Sequence, residues 1–224
     1  MADKTDIQDK LRKFFSIQGK AKIRTSGVVD VEGNVRLTSL WPKMPVQFGT
    51  VTGFFLCSDK NLTTLAGCPQ HVGDNFDCSS NMLTSLEFAP VTVGKGFRCS
   101  NNQLTSLAHA PSYVPGTFNC DNNLLINLQH APHTVGLDMT CYHNPLTSLE
   151  GAPEQVVRTW WISYDDHLPL LRTLSAQEVQ FLQLTDKTEQ VAAILNKHMG
   201  QGKAGAIKAA VELVKAGFRE NAKW

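Results

Sequence analysis

The chain is 224 residues long, 42% hydrophobic, and carries a formal net charge of +1. That length and apolar content suffice for a sizeable buried core. No run approaches the roughly 18–20 apolar residues that a membrane helix needs, and the polar first residues, from Met1 through Asp6, contain no signal-peptide core. The expectation is a soluble protein that stays in the cytoplasm.

The charge is unevenly placed. Residues 1–27 and 187–224 are each +4, which leaves 28–186 at −7. Basic ends on an acidic body suit a nucleic acid or an acidic partner at the tips. Solvated lysines on capping helices explain the same pattern.

Residues 1–52 read as an N-terminal cap. A helix over 5–17 places Ile7, Leu11, Phe14 and Phe15 on one face, with Asp3 or Asp6 as N-cap. Gly19 and Gly27 bound a linker, and residues 28–31 and 34–37 read as a hairpin turning at Glu32 and Gly33. Leu37, Leu40, Pro45 and Phe48 look like a degenerate first repeat.

Residues 53–164 repeat one pattern. Cys57, Cys78, Cys99, Cys120 and Cys141 are each 21 residues apart, and each is preceded two residues earlier by Phe55, Phe76, Phe97, Phe118 or Met139. Leucines follow each cysteine at five residues (Leu62, Leu83, Leu104, Leu125, Leu146) and at eight (Leu65, Leu86, Leu107, Leu128, Leu149). Pro69, Pro90, Pro111, Pro132 and Pro153 then precede Val72, Val93, Val114, Val135 and Val156 by three. Such a unit predicts a short strand with the aromatic and the cysteine inward. Asn81, Asn102, Asn123 and Asn144 turn the chain with an amide that bonds backbone groups. Lys60 stands at that position in the first unit, so the asparagine ladder starts one turn late. Proline favours an extended return. Trp160, Trp161 and Ile162 keep the phase for one more strand. Stacked copies of fixed length make a solenoid with a parallel β-sheet. In-register cysteines point the same way, a poor geometry for disulfides. They read as buried packing thiols, suited to a reducing compartment.

The unit F-x-C-S-x-N-x-L-T-S-L-x-x-A-P-x-x-V-G resembles a short leucine-rich repeat. It is similar to the repeats of secreted Gram-negative effectors, and closer to leucine-rich-repeat proteins of unassigned role in tailed bacteriophages. The resemblance covers about half the chain and implies an α+β repeat fold with capped ends. It implies a phage-encoded protein working in the host cytoplasm. The effector family's ubiquitin-ligase activity does not carry over, because only about 60 residues follow the repeats and none is cysteine.

Residues 165–224 read as a C-terminal helical subdomain: a short helix over 168–174, a capping box from Ser175 to Glu178 opening a second helix, and further helices over 188–199 and 203–216. Val191, Ile194 and Leu195 face inward in the third; Ile207, Ala210, Val211 and Val214 form the apolar face of the fourth. Gly217 is the C-cap, and the terminal Trp224 either folds back or serves as a docking tip.

Solenoids bind on the sheet surface, so the residues on either side of each cysteine are the first candidates. Most are small and polar. Tyr142, His143, Trp161 and Tyr164 gather at the C-terminal end, with Arg98 and Asp121 as charged members of the same face, and aromatics of this kind anchor partners. The competing explanation is that the rings seat the C-terminal helices. Asp165, Asp166 and His167 offer acid–base or metal chemistry, or a polar turn. His109 and His130 stack at one repeat position with His133 nearby, without the full ligand set of a metal site. Gly200, Gly202 and Gly205 match a dinucleotide fingerprint but follow a helix instead of a strand; a helix–helix turn, with Lys203 able to hold a phosphate weakly, fits better. The reading is non-catalytic protein–protein recognition without metal or cofactor, by a host antagonist or a virion accessory protein, with nucleic-acid association through the basic ends as the alternative.

Overall fold

The computed structural model describes residues 3–181 and 186–224, the side chains of 178–181 excepted. Its centre is a parallel-sheet solenoid with two ladders, one more than the repeat pattern suggested. The first ladder carries the aromatic–cysteine strands: β4 (Phe55–Leu56), β6 (Phe76–Asp77), β8 (Phe97–Arg98), β10 (Phe118–Asn119) and β12 (Met139–Thr140). The second lies in the return, where β3 (Phe48–Val51), β5 (His71–Val72), β7 (Thr92–Val93), β9 (Tyr113–Val114) and β11 (Thr134–Val135) hold the valine column. Two longer strands, β2 (Val29–Leu37) and β13 (Gln155–Ile162), belong to both ladders and frame the stack.

Each register is the one the 21-residue beat requires: Phe76 pairs with Phe97, Phe97 with Phe118, and Val72 with Val93. The cysteine amides bond the next coil's carbonyls at 2.8–2.9 Å, from Cys57 to Asp77 through Cys141 to Trp161. The valine ladder runs the other way, with Gly73, Gly94 and Gly136 donating to Val51, Val72 and Val114. At the equivalent place stands Pro115, which has no N–H to give, and the ladder breaks between β7 and β9.

The core is a set of stacked columns. Phe15, Phe48, Phe55, Phe76, Phe97 and Phe118 form a continuous ring stack with centroids 5.0–6.0 Å apart. The six cysteines are free and buried, and the column thiols lean on the next coil's carbonyl, 3.4 Å from Cys78 to Arg98 and 3.6 Å from Cys141 to Trp161. Each asparagine of the ladder ties two coils together. Asn81 accepts from the amides of Lys60 and Leu62 and donates to the carbonyls of Cys57, Cys78 and Ser79. The ladder does begin one turn late.

The N-terminal cap differs from expectation. α1 (Lys4–Phe14) is capped by Asp3 and buries Ile7, Leu11 and Phe14, but it stops short of the expected end. The following β1 (Phe15–Ile23) pairs antiparallel with all of β2. Glu32 and Gly33 therefore do not turn the chain. The turn lies at 24–28, closed by Arg24 and Val28, with Gly27 at φ 86°. Gly19 and Gly33 face each other at φ 135° and 138°, a conformation that glycine alone adopts readily, and stand where β2 passes from one ladder to the other. Leu40 is exposed, whereas Met44 and Val46 fill the first coil.

At the other end, residues 171–175 form a single 3-10 turn. The expected capping box instead enters β14 (Ala176–Phe181), which adds to the open edge of β13. That edge would otherwise leave a row of backbone groups unpaired. Ser175 Oγ bonds carbonyls, including that of Arg172 at 3.1 Å, and caps no helix. α2 (Asp186–His198) buries Val191 and Leu195 as expected. α3 (Gly202–Lys215) is rotated from expectation: it buries Gly205, Ala206, Ala209 and Leu213 and exposes Ile207, Val211 and Val214. Asn221, fully buried, ties the tail back by donating to the carbonyls of Asp165 and Leu168 at 3.0 and 2.8 Å. Among the described residues no helix is long and apolar enough to cross a membrane.

Candidate functional site

Strand alternation sends Phe and Cys inward and their neighbours outward, so the outer face of the first ladder is written by the residues beside each cysteine. The turn that follows is stereotyped. Asp59, Ser80, Asn101, Asn122 and His143 all adopt φ of 50–57°, a region in which Asn and Asp are the commonest non-glycine residues. His143 is the one ring at this position. Its amide donates to Ser163 Oγ at 2.9 Å, and its imidazole meets Tyr142 edge-on, centroids 5.2 Å apart.

Tyr142 stands over Asp121, whose carboxylate accepts the Tyr142 amide at 3.0 Å. Asp121 is only 2% exposed, which corrects its expected place as a contact residue. The column stacks so tightly that Tyr142 covers it. Burial pushes the Asp121 carboxyl up to about 6, against hydrogen bonds that hold it down. The Thr140 hydroxyl lies close enough to contribute, although it makes no hydrogen bond of regular geometry. The Asp121 charge in turn raises the Tyr142 phenol.

Trp161 lies on the next coil, diagonal to Tyr142, with 40% of its surface exposed. Trp160 faces inward and donates from Nε1 to Cys141 Sγ at 3.2 Å, so the pair is pinned by its buried member. Tyr164 belongs instead to the cap. Its hydroxyl donates to Asp166 Oδ1 at 2.9 Å and lies 3.2 Å from Asn221 Oδ1, with the Lys187 ammonium 6.0 Å from its ring centre. For this residue the seating role holds. Arg98 is partly exposed but sits two coils away, beside a groove with Gly96, Gly116 and Thr117. The structure thus places Tyr142, His143 and Trp161 on the outer face of two adjacent coils, with Asp121 buried beneath Tyr142, and leaves Arg98 and Tyr164 apart from them.

The remaining candidates resolve into local structure. Asp165 accepts the His167 amide at 2.7 Å, forming a turn, while Asp166 is engaged by Lys187 and Tyr164, which hold its carboxyl low. His109 and His130 occupy a left-handed position, φ 71° and 67°, which Gly67 and Gly151 fill in the outer repeats. His133 approaches Glu154 at 3.8 Å. Among the described residues no three His, Cys, Asp or Glu side chains converge as a metal site. Gly200 and Gly202 supply positive φ between two helices, and Gly205 lets α3 approach α2, since a Cβ there would meet His198 O at 2.5 Å. Compared with protein-family models, curated proteins and solved structures, the chain matches none.

Proposed function

We propose that the protein is a leucine-rich-repeat recognition module that carries no catalysis of its own and holds a partner protein against Tyr142, His143 and Trp161. The observation that carries this reading is a large indole, 40% exposed, on a parallel sheet one coil on from an edge-packed Tyr–His pair, at the end of a mostly small and polar face. Rigid aromatics lose little entropy on binding and dominate interface energetics. The repeat's reactive groups are otherwise engaged: the thiols are locked in the core, and burial raises Cys141 to about 12. The repeat wording, similar to that of tailed-phage proteins, supports a viral origin and a partner from the host cytoplasm or the virion.

The test is a pull-down from bacterial lysate with the full chain and with a Tyr142→Ala/Trp161→Ala variant. The variant should retain its melting temperature within a few degrees and lose more than about 2 kcal/mol of affinity for the captured protein. Equal capture by a well-folded variant would place the site elsewhere. The nucleic-acid alternative has less support at the N-terminus, where Asp6 pairs with Lys10, Asp9 with Arg12 and Asp30 with Arg24. Binding that falls steeply with salt in a band-shift assay would favour it.

A further inference from the structure

The geometry of α3 points to a second docking site, distinct from the solenoid face: we propose that the outer side of this helix and the cleft beside it receive an acidic amphipathic helix of a partner protein. Ala204, Ile207, Val211 and Val214 recur at helical spacing along its solvent side, with Ile207 58%, Val211 47% and Val214 45% exposed. Gly205, Ala206, Ala209 and Leu213 take the inner side, so the first half of α3 packs closely while its β-branched residues point out. β-Branched residues on an exposed helix bring no helix propensity that would account for them.

Beside this stripe lies a cleft of about 820 Å³ between α3, the 3-10 turn and the last coil's return, lined by Pro153, Leu171, Leu174, Ile207, Ala210 and Trp224. Trp224 is 67% exposed at its edge. The rim decides the partner's charge. Lys203, Lys208 and Lys215 border the stripe and form no ion pair among the described residues, and Arg172 stands on the opposite wall. The helix's one carboxylate, Glu212, is taken by Lys197 at 2.9 Å and His198 at 3.0 Å. Glu154 is the acidic side chain lining the cleft, on its solenoid side.

An apolar stripe between unpaired lysines is complementary to a helix with leucines on one face and glutamates beside them. A second copy of this chain would set lysine rim against lysine rim. A bilayer is flat, and it would leave the concave floor at Leu171 and Leu174 unfilled.

Fluorescence anisotropy with the full chain tests this, using a labelled 20-residue helical peptide with leucine at heptad a and d positions and glutamate flanking them, and its lysine counterpart. The glutamate peptide should bind at least about tenfold more tightly than the lysine peptide. Ile207→Glu/Val211→Glu should weaken binding by about tenfold or more, whereas Tyr142→Ala/Trp161→Ala should leave it unchanged, so this site and the solenoid face fail or stand separately. Lys203→Glu/Lys208→Glu/Lys215→Glu should invert the peptide preference. No binding of the glutamate peptide, or equal binding of both, overturns the proposal. So does a dimer in sedimentation that Ile207→Glu/Val211→Glu dissolves, or tighter binding to phosphatidylglycerol–phosphatidylcholine vesicles than to the peptide.

Discussion

At the scale of single residues, the solenoid relies on side chains that replace backbone partners. Asn102 accepts from the Leu83 amide at 3.0 Å and donates to the carbonyls of Cys78, Cys99 and Ser100. Asn102→Ala leaves these groups unpaired and should cost about 2–4 kcal/mol in denaturant unfolding. Asn102→Asp should rescue little, because a carboxylate accepts from Leu83 but gives nothing to the carbonyls. Asp121 has the opposite character. Its folded pKa of about 6 lies above the ordinary aspartate value, so between about pH 4 and 6 the folded state binds more protons than the unfolded one. Stability contributed by this group falls as pH rises through that window and is flat above it. Asp121→Asn keeps an acceptor for Tyr142 and should stabilise the protein at pH 7 by about 1–3 kcal/mol, flattening the slope of urea midpoints between pH 4 and 6. Asp30 and Asp138, held low chiefly by Arg24 and Arg158, titrate below that window and with the reverse sign. The asparagines' role was legible in the sequence from spacing alone. The burial of Asp121 was not, because its depth depends on the Tyr142 ring in the following coil.

Among elements, the ends of the stack hold the largest departures. Residues 15–23 alternate apolar and polar side chains about a central glycine, from Phe15 and Ile17 to Ala21 and Ile23, a period-2 strand signal that a helix running to Ile17 passes over. They become a strand because β2 presents an unpaired edge. Where the two glycines face each other, a Cβ on Gly33 would stand 2.0 Å from Gln18 O at a φ of 138°. Gly33→Ala should therefore cost more than about 3 kcal/mol and show as lost protection of β1 amides in hydrogen exchange. β14 follows the same logic: the Ser175–Glu178 signal for a helix start is real, but the exposed edge of β13 outcompetes it. In α3 two faces were available, one of small residues ending in Leu213 and one of β-branched residues. Periodicity cannot choose between them. The small face was taken because it fits closely against α2.

At the scale of the whole molecule, each coil touches only its neighbours, so contacts recur every 21 residues. Excising residues 79–99 joins Cys78 to Ser100 in register and should leave a folded, shorter solenoid with a modestly lower melting temperature. Removing 79–89 shifts every later column out of phase and should abolish cooperative unfolding, as followed by circular dichroism. What the amino-acid order determined by itself is the stack: the period, the inward columns of Phe, Cys, Leu and Val, and the asparagine ladder. Those follow from local chain geometry repeated often enough that chance is excluded. Tertiary structure alone decided the second ladder, the strands that close both ends, which aromatics stay free, and which side of α3 faces solvent. Each of these is a competition between two surfaces for one partner, and the outcome depends on atoms far away in the chain.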